Sequence, residues 1–227
     1  MCECLHKFVF AYYPYFAFFV FIIGSIARYN YDQYSWNASS TQLLASKGMW
    51  IGNNLFHIGI ILLFFGHFIG LLMPTELYTK WITCSQKQVL AMTFGGMFGG
   101  LCFIGMSILI YRHLFDVRVR AISSIMDSFI LFLLYIQLIL GLLTIVISTK
   151  HLDGYSMVLL SHWVQYIVTF QPGAADFLVG QHWLFKLHLF LGITIFLVFP
   201  FTRLVHIWSV PIGYLLRNGY QIVRKLG

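Results

Sequence analysis

Residues 53–70 read NNLFHIGIILLFFGHFIG, and no Asp, Glu, Lys or Arg occurs among them. Two histidines, His57 and His67, sit inside this run. A helix of such a sequence lacks the polar face that a surface helix of a soluble protein presents to water. Its length approaches the roughly 20 residues that cross a bilayer as a helix. Four other stretches share this character. The five run approximately Phe8–Ala27, Ile51–Met73, Gln88–Tyr111, Ile125–Ser148 and Trp183–Trp208. Backbone groups in lipid must be satisfied within each segment, and none of the runs shows the alternation of a barrel strand. The expected fold class is therefore all-α: an integral membrane bundle of five transmembrane helices.

Composition agrees. The 227 residues are 59% hydrophobic, 19% aromatic and 9% charged, against about a quarter charged residues in an ordinary soluble domain. A chain this short cannot hide so much apolar surface within itself, so the bilayer serves as solvent for the rest. Lys7 followed by an apolar run resembles a signal peptide, but no convincing cleavage site follows, and the segment reads as a retained first helix. No internal repeat or low-complexity linker divides the chain, so 1–227 is read as one domain with a tail from about 209.

The net charge of +7 lies in the short links. The links 28–50 and 112–124 together with the C-terminal segment carry Arg28, Lys47, Arg112, Arg118, Arg120, Arg203, Arg217, Arg224 and Lys225. The opposite side carries Lys7, Lys80, Lys87, Lys150 and Lys186. Nine against five places the first side in the cytoplasm and the N-terminus outside. This distribution serves orientation, and no nucleic-acid partner is expected. The cysteines Cys2, Cys4, Cys84 and Cys102 form neither CxxCH nor CxxC, which removes covalent c-type haem and offers no zinc or iron–sulfur site. Cys102 reads as packing. Gly95, Gly96, Gly99, Gly100 and Gly105 allow close approach of a helix or a flat cofactor, helix packing being the commoner use. The long link 149–182 holds a mixed segment, Met157–Phe170, suited either to an amphipathic helix on the outer surface or to a covering loop.

Nine histidines are present. His57 and His67 lie in the second apolar stretch, His188 and His206 in the fifth. One intramembrane histidine is ordinarily a hydrogen-bonded packing residue. Four on two helices point to function, and neutral imidazole is a standard axial ligand of haem iron. Three crossings separate the two helices, so they run antiparallel. His57 then pairs with His206 toward the cytoplasm, and His67 with His188 toward the outside. The separations are unequal, roughly 15 Å along the second helix and roughly 27 Å along the fifth, and a kink at Pro200 is one way to reconcile them. A metal transporter is the rival use of buried histidines, but only Asp127 among the carboxylates sits near a helix. A haem-free structural anchor is the other alternative.

At these residues the chain closely resembles the gamma (cytochrome b) subunit of respiratory membrane-bound nitrate reductase. The resemblance runs through IARYNYDQYSWNASSTQLL, NNLFHIGIILLFFGHF, RHLFDVRVR, LGLLTI at 140–145, HLDG at 151–154 and FKLHLFLGITIFLVFPFTRLVHIWSVP. It implies two haem b groups, an inner one on His57 and His206 and an outer one on His67 and His188. It also implies oxidation of a quinol, menaquinol or ubiquinol, near the outer haem, with Lys87 at the quinol site. Without the family, Lys87 reads equally well as an interfacial lysine reaching toward water. The implied partners are an iron–sulfur beta subunit and a molybdenum-containing alpha subunit on the cytoplasmic face of a bacterial inner membrane. A cytochrome b subunit of a sulfur-cycle or heterodisulfide-type reductase is the alternative within electron transfer. His162, His182 and His113 are expected at the surface, His113 solvated.

Overall fold

The computed structural model of the chain describes residues 3–31 and 48–209. Most of the first link and the tail beyond 209 lie outside these residues. Six long helices organise the described part: α1 (Glu3–Tyr31), α2 (Met49–Leu72), α3 (Cys84–Phe115), α4 (Ile125–Ser148), α5 (Tyr155–Val168) and α6 (Trp183–Val198). Among the described residues there is no strand. Five segments are long and apolar enough to span a membrane: α1 to α4, and Trp183–Phe201 containing α6. The expected fold class is thus the observed one.

Local chemistry sets the helix ends. Thr83 and Gln86 form a reciprocal capping box at the start of α3, and Ser124 and Asp127 form another at the start of α4. In α1 a π-helical turn, Phe8–Tyr12, precedes Pro14. Pro14 has no N–H to give to the carbonyl four residues back. That carbonyl, of Phe10, instead accepts the indole N–H of Trp163 at 2.9 Å. The proline so creates the acceptor that docks α5 on α1.

The spanning helices pack in the order α2, α3, α4, α6, α1. Close approach of α2 and α3 depends on small residues. A Cβ at Gly59 would lie 2.7 Å from Cys102 Cβ, and one at Gly52 would lie 3.2 Å from Gly105 O. Cys102 is fully buried there with Met106 and Leu138, the packing role expected of it. Gly99 in turn admits Leu142 of α4. Within the α3 glycine series, Gly99 and Gly105 serve helix packing, whereas Gly100 faces open space.

Alternation of direction brings Lys7, Lys80, Lys87, Lys150 and Lys186 to one end of the bundle and Arg28, Arg112, Arg118, Arg120 and Arg203 to the other. These are called the lysine end and the arginine end below. The link between α4 and α6 folds back over the lysine end. Its centre is a helix, as one of the two expectations had it. Ser161 and Trp163 of α5 are buried, and Gln165 Nε2 donates to Leu71 O at 3.1 Å and Met73 O at 3.3 Å.

One expectation is corrected. The fifth spanning segment is not a kinked helix through Trp208. Regular α-helix stops at Val198, a 3-10 turn covers Phe199–Phe201, Thr202 is extended, and a second 3-10 stretch covers Arg203–Ser209. The roughly 27 Å separation of His188 and His206 along one continuous helix therefore does not apply. Arg28 stabilises the break by donating Nη1 to Pro200 O at 2.7 Å and Thr202 O at 3.0 Å.

Candidate functional site

The imidazoles of His67 and His188 face each other, with ring centroids 6.3 Å apart and planes inclined at 41°. A metal lies roughly 2.0 Å from a ligating imidazole nitrogen, itself roughly 1.1 Å from its ring centre, so two axial imidazoles on one iron place their centroids about 6 Å apart. The observed spacing suits a single metal between the rings. Among the described residues no three His, Cys, Asp or Glu side chains converge on a common point. Two opposed imidazoles without further protein ligands suit an iron whose other positions belong to a macrocycle.

Backbone contacts decide which imidazole nitrogen would be open to a metal. His67 Nδ1 donates to Leu63 O at 2.8 Å, and His57 Nδ1 donates to Asn53 O at 2.8 Å. His206 Nδ1 donates to Arg203 O at 2.5 Å. A proton held on Nδ1 leaves the lone pair on Nε2, the tautomer that would ligate a metal through Nε2. Nothing comparable holds His188, whose Nδ1 is buried without a hydrogen-bond partner.

Beside His67 the structure is open. Helix α2 carries His57 and His67, α6 carries His188, and the 3-10 stretch beyond α6 carries His206; α2 packs chiefly on α3 and α5, and α6 on α4 and α1. A Cβ at Gly66, next to His67, would meet nothing within 4 Å. On the other side, Gly141 of α4 backs the ring of His188, where an added Cβ would lie 3.0 Å from His188 Cε1. The residues present therefore fit a haem held between His67 and His188. His57 and His206 share the arginine end, where the ion pair of Arg203 Nε with Asp127 Oδ1 at 3.1 Å fixes the turn that carries His206.

At the lysine end Lys87 is buried, its Nζ 3.8 Å from the centroid of the Tyr78 ring and without a hydrogen-bond partner. This is not an interfacial lysine reaching for water. Tyr78 closes the short turn Thr75–Tyr78, and its hydroxyl shares a 3.5 Å hydrogen bond with Cys84 Sγ. Burial first, then the Cys84 contact, pushes the Tyr78 hydroxyl above its usual pKa. The phenol stays neutral, and its ring face attracts the ammonium. Neighbouring Gln88 ties the same end together: Nε2 donates to Ser148 O and His151 O at 3.2 and 2.8 Å, and Oε1 accepts Gly154 N at 2.7 Å.

Sequence reading passed over Gln88, Gln137 and Tyr78, because their signal is burial and partner geometry. The remaining histidines have modest roles. His162 Nε2 meets Thr75 Oγ1 at 3.4 Å, and His182 Nδ1 accepts Leu184 N at 3.3 Å, capping α6. His113 differs from expectation: it is half-buried and pairs with Ser128 Oγ at 2.8 Å, not solvated.

Comparison with known proteins adds an independent line. Residues 6–226 match the family model described as nitrate reductase gamma subunit. The chain is 52% identical to the respiratory nitrate reductase 1 gamma chain of Escherichia coli, over 98% of both chains. It is 37% identical to the nitrate reductase gamma chain of Bacillus subtilis, over 93% of this chain and 95% of that one. A more distant likeness, 28% over 73% of this chain, is to an Hdr-like menaquinol oxidoreductase cytochrome b-like subunit of Archaeoglobus profundus. With five membrane-spanning segments and a match across nearly its whole length, this multi-pass bacterial inner-membrane chain belongs to the nitrate reductase gamma subunit family.

Proposed function

We propose that this chain is the quinol-oxidising dihaem cytochrome b subunit of a respiratory nitrate reductase. His67 and His188 would hold an outer haem b, and His57 and His206 an inner one. Haem iron between paired imidazoles supplies one-electron redox chemistry, so two in series connect a quinol near the outer face to an iron–sulfur subunit on the cytoplasmic face. Nitrate itself would be reduced on a molybdenum-containing subunit. The observation that carries this reading is the 6.3 Å spacing of the His67 and His188 rings.

Lys87 is the residue proposed to hold the quinol. Its ammonium is buried without a hydrogen-bond acceptor, which suits a site whose acceptor, a quinol oxygen, arrives with the substrate. The arginine end is assigned to the cytoplasm by charge bias. A related cytochrome b feeding a heterodisulfide-type reductase remains the second reading. It draws on the archaeal relative, whose likeness covers 73% of this chain against 98% for the Escherichia coli one.

The test is haem content with the reduced-minus-oxidised visible spectrum, in membranes containing the whole complex. Two non-covalent b haems, both reduced by a quinol analogue, are expected. His67→Ala and His188→Ala should each remove one haem and the quinol-driven reaction, whereas His57→Ala and His206→Ala should remove the other haem. Retention of both haems in all four variants would refute the ligand assignment. Co-purification with a molybdenum-containing subunit separates the first reading from the second.

A further inference from the structure

Three of the four candidate ligands give Nδ1 to a carbonyl of their own segment, at 2.8, 2.8 and 2.5 Å for His57, His67 and His206. His188 alone keeps a buried Nδ1 without a partner. The neighbouring helix holds the complement. Gln137 of α4 donates Nε2 to His188 O at 3.0 Å, and its Oε1 is buried and also without a partner. Gly141, one turn further along α4, backs the same imidazole, and a Cβ there would lie 3.7 Å from His188 Nδ1. Gly192 of α6 admits the amide, since its own Cβ would stand 3.2 Å from Gln137 Nε2. One helix contact thus holds a buried imidazole nitrogen and a buried amide oxygen, each without a hydrogen-bond partner. Leaving both unmade is costly in a membrane interior. Turning the amide over is no remedy, because it would set Oε1 against the His188 carbonyl.

We infer that Gln137 is the positioning residue of His188, its Oε1 accepting the Nδ1 proton when the outer haem is bound. This rests on the assignment of His67 and His188 as ligands. The pairing completes a common pattern: every ligand is fixed as the Nε2-ligating tautomer, three by their own segments and His188 from across a helix interface. It also gives this ligand a different hydrogen-bond acceptor, an amide oxygen from another helix, which the protein can vary without rebuilding α6. A hydrogen bond to Nδ1–H makes the imidazole a stronger donor and favours the oxidised iron.

The experiment is a redox titration of both haems, followed by visible and electron paramagnetic resonance spectra, in membranes containing the complete complex. In Gln137→Met the acceptor is gone, and the outer haem should shift to a higher midpoint potential with altered low-spin signals. In Gln137→Glu an acceptor oxygen remains, and the potential should return to the wild-type value or fall below it. The inner haem should not move in either variant. Loss of the outer haem from Gln137→Met, with retention in Gln137→Glu, supports the pairing equally. An unshifted outer haem in Gln137→Met, or the same shift or loss in both variants, overturns it. His188→Ala is the control: if that variant keeps both haems, the ligand assignment has failed and not merely this pairing.

Discussion

A lysine ammonium removed from water without a hydrogen-bonding partner costs several kcal/mol that a cation–π contact offsets only in part. Lys87 meets that description over the Tyr78 ring. Were its role structural, truncation would destabilise the protein. If it waits for a quinol oxygen, Lys87→Met should leave the thermal midpoint unchanged or raised. Quinol oxidation should fall about 10- to 100-fold, the equivalent of one charged hydrogen bond of about 1.5–3 kcal/mol. Both haems should persist. Thermal unfolding and steady-state quinol oxidation, measured on the same membranes, distinguish the two cases. Gly141 gives a second residue-scale prediction. A methyl group 3.0 Å from His188 Cε1 must displace the ring by a few tenths of an ångström or be displaced itself. Gly141→Ala should therefore change the outer haem spectrum and spare the inner. Both positions show what sequence carries at this scale. The histidines were legible because ionisable groups in apolar runs are rare and costly. Gln137 and Gly141 were not, since an amide and a glycine in a membrane helix have many uses, and only the facing helix decides among them.

At the scale of elements, the break after Val198 decides where His206 stands. Pro200 signals a disturbance, and the sequence reading expected a kink with helix resuming beyond it. Whether helix resumes depends on what satisfies the freed carbonyls. The donor is Arg28, 172 positions away in sequence from Pro200, and no local pattern foretells that. Gly24 completes the fit, because a Cβ there would lie 2.8 Å from Pro200 Cβ. Arg28→Ala should release Pro200 O and Thr202 O together, destabilise the protein by about 2–4 kcal/mol, and lower the occupancy of the inner haem while the outer stays full. Arg28→Lys should restore only part of this, because a single ammonium does not reproduce the guanidinium's spread of donors. Haem content resolved by potential, with a denaturation curve, checks both variants. By contrast, the bounds of α4 agree with the sequence reading at both ends. The Ser124–Asp127 capping box and the apolar run that follows are local signals, so nothing remote was needed.

Over the whole molecule, the order α2, α3, α4, α6, α1 leaves the two histidine-bearing helices held by different neighbours. Apolar length specified five spans, but not their order, since lipid contact and helix contact select the same side chains. The arrangement has a physical consequence. In a soluble bundle a poorly filled seam would collapse to bury apolar area. In a bilayer lipid tails solvate α2 as well as protein does, so no comparable force draws α2 and α6 together. A ligand bridging them therefore stabilises the arrangement by mass action. Spin labels at Ile69 of α2 and Trp183 of α6, both exposed at the lysine end, should report a narrow distance distribution in haem-loaded protein. The distribution should broaden in protein made under haem limitation. Labels at Val89 of α3 and Val146 of α4, exposed at the same end, should give the same narrow distribution in both preparations, because Gly99 and Leu142 lock that pair without a cofactor. An α2–α6 distance equally narrow with and without haem would mean that protein packing alone sets the 6.3 Å spacing of His67 and His188, and the bridging role assigned to the cofactor would be lost.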